Sequence, residues 1–247
     1  MTPSIIPLQN SFLSKKKRLF AALISLFSLS FYCHAATLIE MRSPDGAISK
    51  FWISEKMARM SGDDSDGFML VDFAQGKQYS IDHAEKLIVD VTAGMMEETP
   101  PTPESSAKPV QVSIEEVGAG DLVAGYKTVK YAVKADNVLC SYELLSKELS
   151  DNNDIKRLVT YMHQSSLADQ PLGDVEPCFK AEQALEGKYA TLGVPLRSID
   201  ANGVVVSETL SVKINVTAPA NTFTFPAGYR QATLQELMQE QLPQQGQ

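Results

Sequence analysis

The chain has 247 residues, 44% of them hydrophobic, with 22 basic and 30 acidic side chains and a formal net charge of −8. That is enough apolar material for one large domain or two small ones. The acidic balance argues against nucleic acid and anionic membrane surfaces as partners.

The first segment sets the compartment. Lys15, Lys16, Lys17 and Arg18 form a basic cluster, 19–32 is mostly apolar, and Cys33-His34-Ala35 offers small residues before Ala36. This order predicts a cleaved signal peptide over 1–35 and delivery to the periplasm. An apolar run of about 14 residues is short for a membrane span, which needs ~20, although an uncleaved anchor is the alternative. No later run is apolar enough to span, so no transmembrane segment is expected after cleavage. Removing 1–35 takes away four basic residues and no acidic ones, so 18 basic residues face 30 acidic ones and the net becomes −12. It also removes one of three cysteines. Cys140 and Cys178 remain and are expected to pair in an oxidising compartment. Two free buried thiols are the other possibility.

From 37 the chain reads as short strands. Segments 37–42, 47–53, 56–61, 68–73, 78–83 and 86–91 alternate weakly and are separated by turn residues such as Pro44-Asp45-Gly46 and Gly76. Turn signals every ~8–12 residues indicate an antiparallel meander. Residues 97–109 hold four prolines and no large apolar side chain, which predicts an exposed loop. Strands resume at 110–117, 126–134 and 138–146. The period then changes: Ile155, Leu158, Val159 and Met162 fall at i, i+3, i+4 and i+7, an amphipathic helix over 151–167 with Asp151, Asn152 and Asn153 at its N-cap. A shorter helix is expected over 179–186 and a strand over 191–198.

The clearest pattern is 204–216. Val204, Val206, Leu210, Val212, Ile214 and Val216 occupy one row, interrupted by Glu208, and the other row is mostly polar. Such alternation predicts a strand with one dry face. At ~3.3 Å per residue it would run roughly 43 Å, so a bend or bulge is expected. Asn202-Gly203 predicts the hairpin that leads into it. Thr233-x-x-Glu236 is a capping box before a terminal helix, with a frayed Gln-rich tail. The whole is expected to be α+β: a large curved antiparallel sheet, an open half-barrel of about nine or ten strands, with two or three helices on its concave side. The domain is placed at 36–230 and the terminal helix and tail at 231–247.

No catalytic motif is found: there is no Gly-x-Ser-x-Gly, no phosphate loop and no His-Glu-x-x-His. Asp63-Asp64-Ser65-Asp66-Gly67 lacks the acidic first and last ligands of a calcium loop and reads as an acidic hairpin tip. Neither a metal nor a cofactor is expected. Glu208 stands out as a carboxylate in an apolar row; a bulge could place it in water, or it could anchor a ligand inside a cavity. The ligand-cavity candidates are Trp52, Met57, Met69, Val206, Glu208, Leu210 and Val212. Ordinary core is the other reading for the apolar ones.

Gly125-Tyr126-Lys127-Thr128, Gly193-Val194-Pro195-Leu196-Arg197 and Phe225-Pro226-Ala227-Gly228-Tyr229 resemble patterns in an uncharacterised family of secreted bacterial envelope domains, similar to LolA- and LppX-type carriers. The resemblance covers about 37–230. It implies a half-barrel wrapped over helices, with an apolar cavity in the carriers. The function expected is therefore non-enzymatic: binding or carrying a lipid or acyl ligand. A structural or scaffolding envelope protein that holds a protein partner is the alternative.

Overall fold

The computed structural model describes residues 35–63, 65–92, 109–168 and 176–241. The segment expected to be a signal peptide, apart from Ala35, and nearly all of the Pro-rich loop lie outside the described residues. Twelve strands are present among the described residues: β1 Ala35–Arg42, β2 Ile48–Ile53, β3 Met57–Gly62, β4 Gly67–Asp72, β5 Lys77–Asp82, β6 Leu87–Asp90, β7 Val112–Ala119, β8 Val129–Ala135, β9 Val138–Ser146, β10 Val194–Asp200, β11 Val205–Thr217 and β12 Arg230–Thr233. Four helices among the same residues accompany them: α1 Asn153–Ala168, α2 Pro177–Glu186, α3 Tyr189–Leu192 and α4 Leu234–Gln241.

All twelve strands form one sheet in the order β12-β6-β5-β4-β3-β2-β1-β11-β10-β9-β8-β7. The fold is thus the expected α+β open half-barrel, with two more strands and one more helix than the upper expectation. A hairpin-linked meander, β1–β6, and a second antiparallel group, β7–β11, in which α1, α2 and α3 connect β9 to β10, meet where β1 pairs with β11. Only β12 runs parallel to its neighbour, β6. That four-residue strand and the single turn of α3 are too short to carry a period, so sequence patterning passes over both.

Each face of the first meander has its own cover. Successive residues of a strand point to opposite sides. Ile39, Ile53 and Ala58, with Phe51, Val71 and Phe73 beside them, form one cluster with Ile155, Leu158 and Val159 of α1. Phe68, Leu70, Ile81 and Ile88 form another on the opposite face, with Tyr79 and Tyr229 against it. The segment between β11 and β12 lies on this second face. The Phe225 ring meets Tyr79 edge-on at 4.9 Å, and Arg59 stacks on Phe68 while donating to the Thr222 carbonyl at 3.4 Å.

The helices follow from their caps and stripes. Asn152 Oδ1 accepts from the backbone N–H groups of Asp154 and Ile155 at 3.0 Å each, which starts α1 as expected. Thr37 then donates to Asp154 at 3.0 Å, tying the start of α1 to the first strand. α1 packs on β1 and β2, α2 on β7 and β8, and the two helices touch. Cys140 of β9 and Cys178 of α2 form the expected disulfide, with S–S 2.02 Å and Cα–Cα 5.4 Å. Ala181 and Leu185 of α2 bury against Tyr131, Val133 and Leu145. Thr233 and Glu236 make the reciprocal capping box of α4.

The long strand departs from its expected dry face. In the pairing with β1, Glu40 faces Ser211 and Met41 faces Thr209, so Leu210 is left out of the ladder. Ala36 faces Val216 and Leu38 faces Lys213, so Ile214 and Asn215 together oppose Thr37. In the pairing with β10, Ser198 faces Ser207 and Ile199 faces Val205, so Val206 is left out. Val206, Leu210 and Ile214 are therefore bulge residues, 37%, 37% and 39% exposed, while Thr209 of the polar row is 2% exposed. Each bulge shifts the count by one and exchanges the two rows. The strand bends as its length requires, and its apolar row is not the buried one.

Candidate functional site

The α1 stripe builds the most enclosed apolar space near the helices. Ile155, Leu158, Val159 and Met162 face Ile39 and Met41 of β1, Phe51 of β2, and Val194, Pro195 and Leu196 of β10, around a cavity of about 180 Å³. Thr209 lines it as well. His163, Glu186 and Tyr189 also contribute to the lining, which is almost wholly apolar. The i, i+3, i+4, i+7 spacing that predicts the helix therefore also names one wall of the cavity.

Behind the lining, Tyr189 sits in an acidic neighbourhood. Glu143 of β9 is buried, and its Oε1 accepts from the Ser198 hydroxyl at 2.6 Å. Burial pushes its carboxyl up to about 7 despite that hydrogen bond. Burial also raises Glu182, with the nearby Glu186 charge adding to the effect. It raises the Tyr189 phenol too, helped by Glu143, Glu186 and Glu182. Oε2 of Glu186 is buried and has no hydrogen-bond partner among the described residues.

The seven candidates from the sequence lie elsewhere. Trp52 sits between Leu38 and Arg59 in the ladder. Met57 packs against the Phe68 cluster on the second face. Met69 lines an open groove of about 410 Å³ with Met60, Ser80 and Asp66. Val206 and Leu210 are bulge residues. Val212 comes nearest the site: it pairs with Ile39 and packs on the cluster that contains Ile155. Glu208 stands between two arginines. Arg197 donates to its Oε1 from Nε at 3.0 Å and from Nη2 at 2.5 Å, and Arg42 pairs with its Oε2. Those bonds, Arg197 first, hold its carboxyl below the usual range. Glu208 is the middle of a three-strand ion ladder, not part of the lining of the apolar cavity.

A third, open groove of about 610 Å³ lies beside α1, lined by Lys56, Lys156, Arg157, Glu55 and Tyr161 among others. Among the described residues no group of three or more His, Cys, Asp or Glu side chains is placed to hold a metal ion. No helix among them is long and apolar enough to cross a membrane.

No protein-family model matches the chain, and no curated protein matches it. Solved structures do. An uncharacterized conserved protein from Thermus thermophilus aligns with a TM-score of 0.41 at 9% identity, covering 89% of this chain and 99% of that one. MucB aligns at 0.39 and 9% identity, over 80% of this chain and 60% of that chain. MucB in the Pseudomonas aeruginosa MucA/MucB complex aligns at 0.37 and 11%, over 82% and 59%. The chain thus spans about three-fifths of the MucB structures.

Proposed function

We propose that this chain is a non-enzymatic periplasmic protein, exported by a signal peptide spanning 1–35, that holds an apolar group in the slot beneath α1. One observation supports the reading: the half-barrel and α1 enclose an apolar space instead of closing on each other. At about 180 Å³ the slot is slightly larger than the ~150 Å³ apolar cavity that takes benzene. It is smaller than the ~300 Å³ at which drug-sized ligand sites begin. The slot therefore suits one end of an acyl chain, a group of about six to eight carbons. Seating a whole lipid requires α1 to move off β1 and β2. Native mass spectrometry of the purified protein, with organic extraction, tests this. A bound acyl compound is the expected result; an empty protein that also takes up no small apolar probe overturns it.

A protein partner is the second reading, favoured by the β10–β11 hairpin. Val204, Val205 and Val206 stand exposed together at its tip, an apolar group of the kind a binding surface uses. Crosslinking in cells should then trap one dominant envelope protein at this hairpin. Recovery of none counts against the second reading and leaves the first intact.

A further inference from the structure

The open groove beside α1 has two walls. One is the polar stripe of α1, from Asn153 through Lys156 and Arg157 to Tyr161. The other is the β2–β3 turn, with Glu55 and Lys56, and the β4–β5 turn, with Phe73. The chain as a whole has 22 basic and 30 acidic side chains, yet this lining holds three cations and one carboxylate. Lys56 and Lys156 are exposed, and neither is ion-paired among the described residues. Arg157 keeps 34% of its side chain exposed; its partner Asp154 lies at 3.7 Å, beyond hydrogen-bond reach, and accepts from Thr37 with the other oxygen. The neighbouring Asp72 is engaged in its own turn, where it accepts from the Ala74 and Gln75 N–H groups. Lys156 and Arg157 also stand close to the N-terminus of α1, whose partial positive charge disfavours cations and favours an anion.

These cations come from both walls, so an anion between them needs oxygens that point in more than one direction. A phosphate monoester has three acceptor oxygens and a charge of about −1.5 to −2 at pH 7, whereas a carboxylate has two oxygens in one plane. Phe73 and Tyr161 meet edge-on at 5.9 Å in the same lining, which puts aromatic surface beside the charges. We propose that this groove binds a phosphate monoester carried on an organic group, with Lys56 and Lys156 holding the phosphate from the two walls and the organic group against the rings. The groove shares no lining residue with the apolar slot, so the two readings are independent.

The test titrates phenyl phosphate, inorganic phosphate and benzoate into the full mature protein at pH 7.5 and 0.15 M salt, where a Debye length of about 8 Å screens the distant acidic surface. Calorimetry and phosphorus NMR read the binding. Phenyl phosphate is expected to bind at least about tenfold tighter than benzoate, and tighter than inorganic phosphate. Lys56→Gln and Lys156→Gln should each weaken phenyl phosphate at least about fivefold at an unchanged melting temperature, because both positions are exposed. Lys127→Gln, which removes the same charge from an exposed position before β8, should leave the affinity within about twofold. Sedimentation with vesicles of phosphatidic acid in phosphatidylcholine then separates the sources. Co-sedimentation that Lys56→Gln abolishes assigns the phosphate to a lipid head group, and its absence assigns it to a soluble ester. The proposal is overturned if none of the three binds, or if benzoate or inorganic phosphate binds as tightly as phenyl phosphate. It is also overturned if Lys127→Gln weakens binding as much as the two groove variants do.

Discussion

Arg197 and Glu208 face each other directly across the β10–β11 pair, and two guanidinium nitrogens converge on one carboxylate oxygen. Arg42 faces the same glutamate from β1, so one carboxylate joins three adjacent strands at the middle of the sheet. Arg197 also reaches Asp121 at 3.0 Å. The Glu208 and Arg197 side chains are 16% and 19% exposed, so solvent screens this pair less than an ordinary surface bridge. Glu208→Gln should cost about 1–3 kcal/mol, read as a lower urea midpoint at unchanged slope. The sign of the pH effect follows from the lowered carboxyl. The stabilisation is present above the unfolded-state value and is lost as pH falls through the folded one. The variant should therefore have a flatter acid limb; an unchanged limb would rule out this role.

Glu143 gives the opposite slope. Its carboxyl is raised from 4.5 to about 7 by burial. Below the unfolded value both states are protonated and no penalty exists. Between the two values the unfolded chain ionises first, so stability falls as pH rises and levels off above the folded value. The total loss is about 3 kcal/mol. Glu143→Gln can still accept from Ser198 and should remove most of this fall, making the variant more stable than the native chain at pH 8. Melting curves from pH 4 to 8 measure it. A parallel pair of curves would show that Glu143 carries no such linkage.

Cys140 and Cys178 are 38 residues apart in sequence. In the chain-entropy model, closing a loop of that size contributes roughly 4 kcal/mol. Replacing both by Ser, or melting with reductant, should lower stability by about that amount in thermal or urea unfolding, a large share of the roughly 5–15 kcal/mol that domains have. A melting temperature indifferent to reductant would contradict it.

The bulges in β11 make neighbouring positions behave against their sequence pattern. Leu210→Lys should change stability by less than about 0.5 kcal/mol, because Leu210 is a partly exposed bulge residue. Thr209→Lys should cost several kcal/mol, because it puts an unpaired charge at a buried site beside the cavity. Urea unfolding of the two variants separates them. A costly Leu210→Lys with a tolerated Thr209→Lys would restore the simple alternating face.

The sequence carries the elements well and their faces less well. Turn residues and alternation locate eleven of the twelve strands because those signals are local. The stripe Ile155–Leu158–Val159–Met162 points to the helix that walls the cavity, since amphipathic spacing needs no knowledge of the partner. The buried row of β11 is not legible. It depends on where β1 and β10 skip a residue, and the skips against β1 are fixed by pairing between segments some 170 positions apart. Glu208 draws attention as a misplaced carboxylate. Its explanation lies in Arg42 and Arg197, whose approach only the strand order brings about.

That strand order has a consequence for assembly. Every pairing from β1 to β6 and from β7 to β11 joins sequence neighbours except the one between β1 and β11. The two groups join where the first strand pairs with the eleventh, and again where β12 pairs with β6. The peptide bonds that lead from β6 to β7 do not set that meeting. Two separate polypeptides, one ending after β6 and the other beginning before β7, would have to re-form both the β1–β11 and the β6–β12 pairings, which fragment complementation measures.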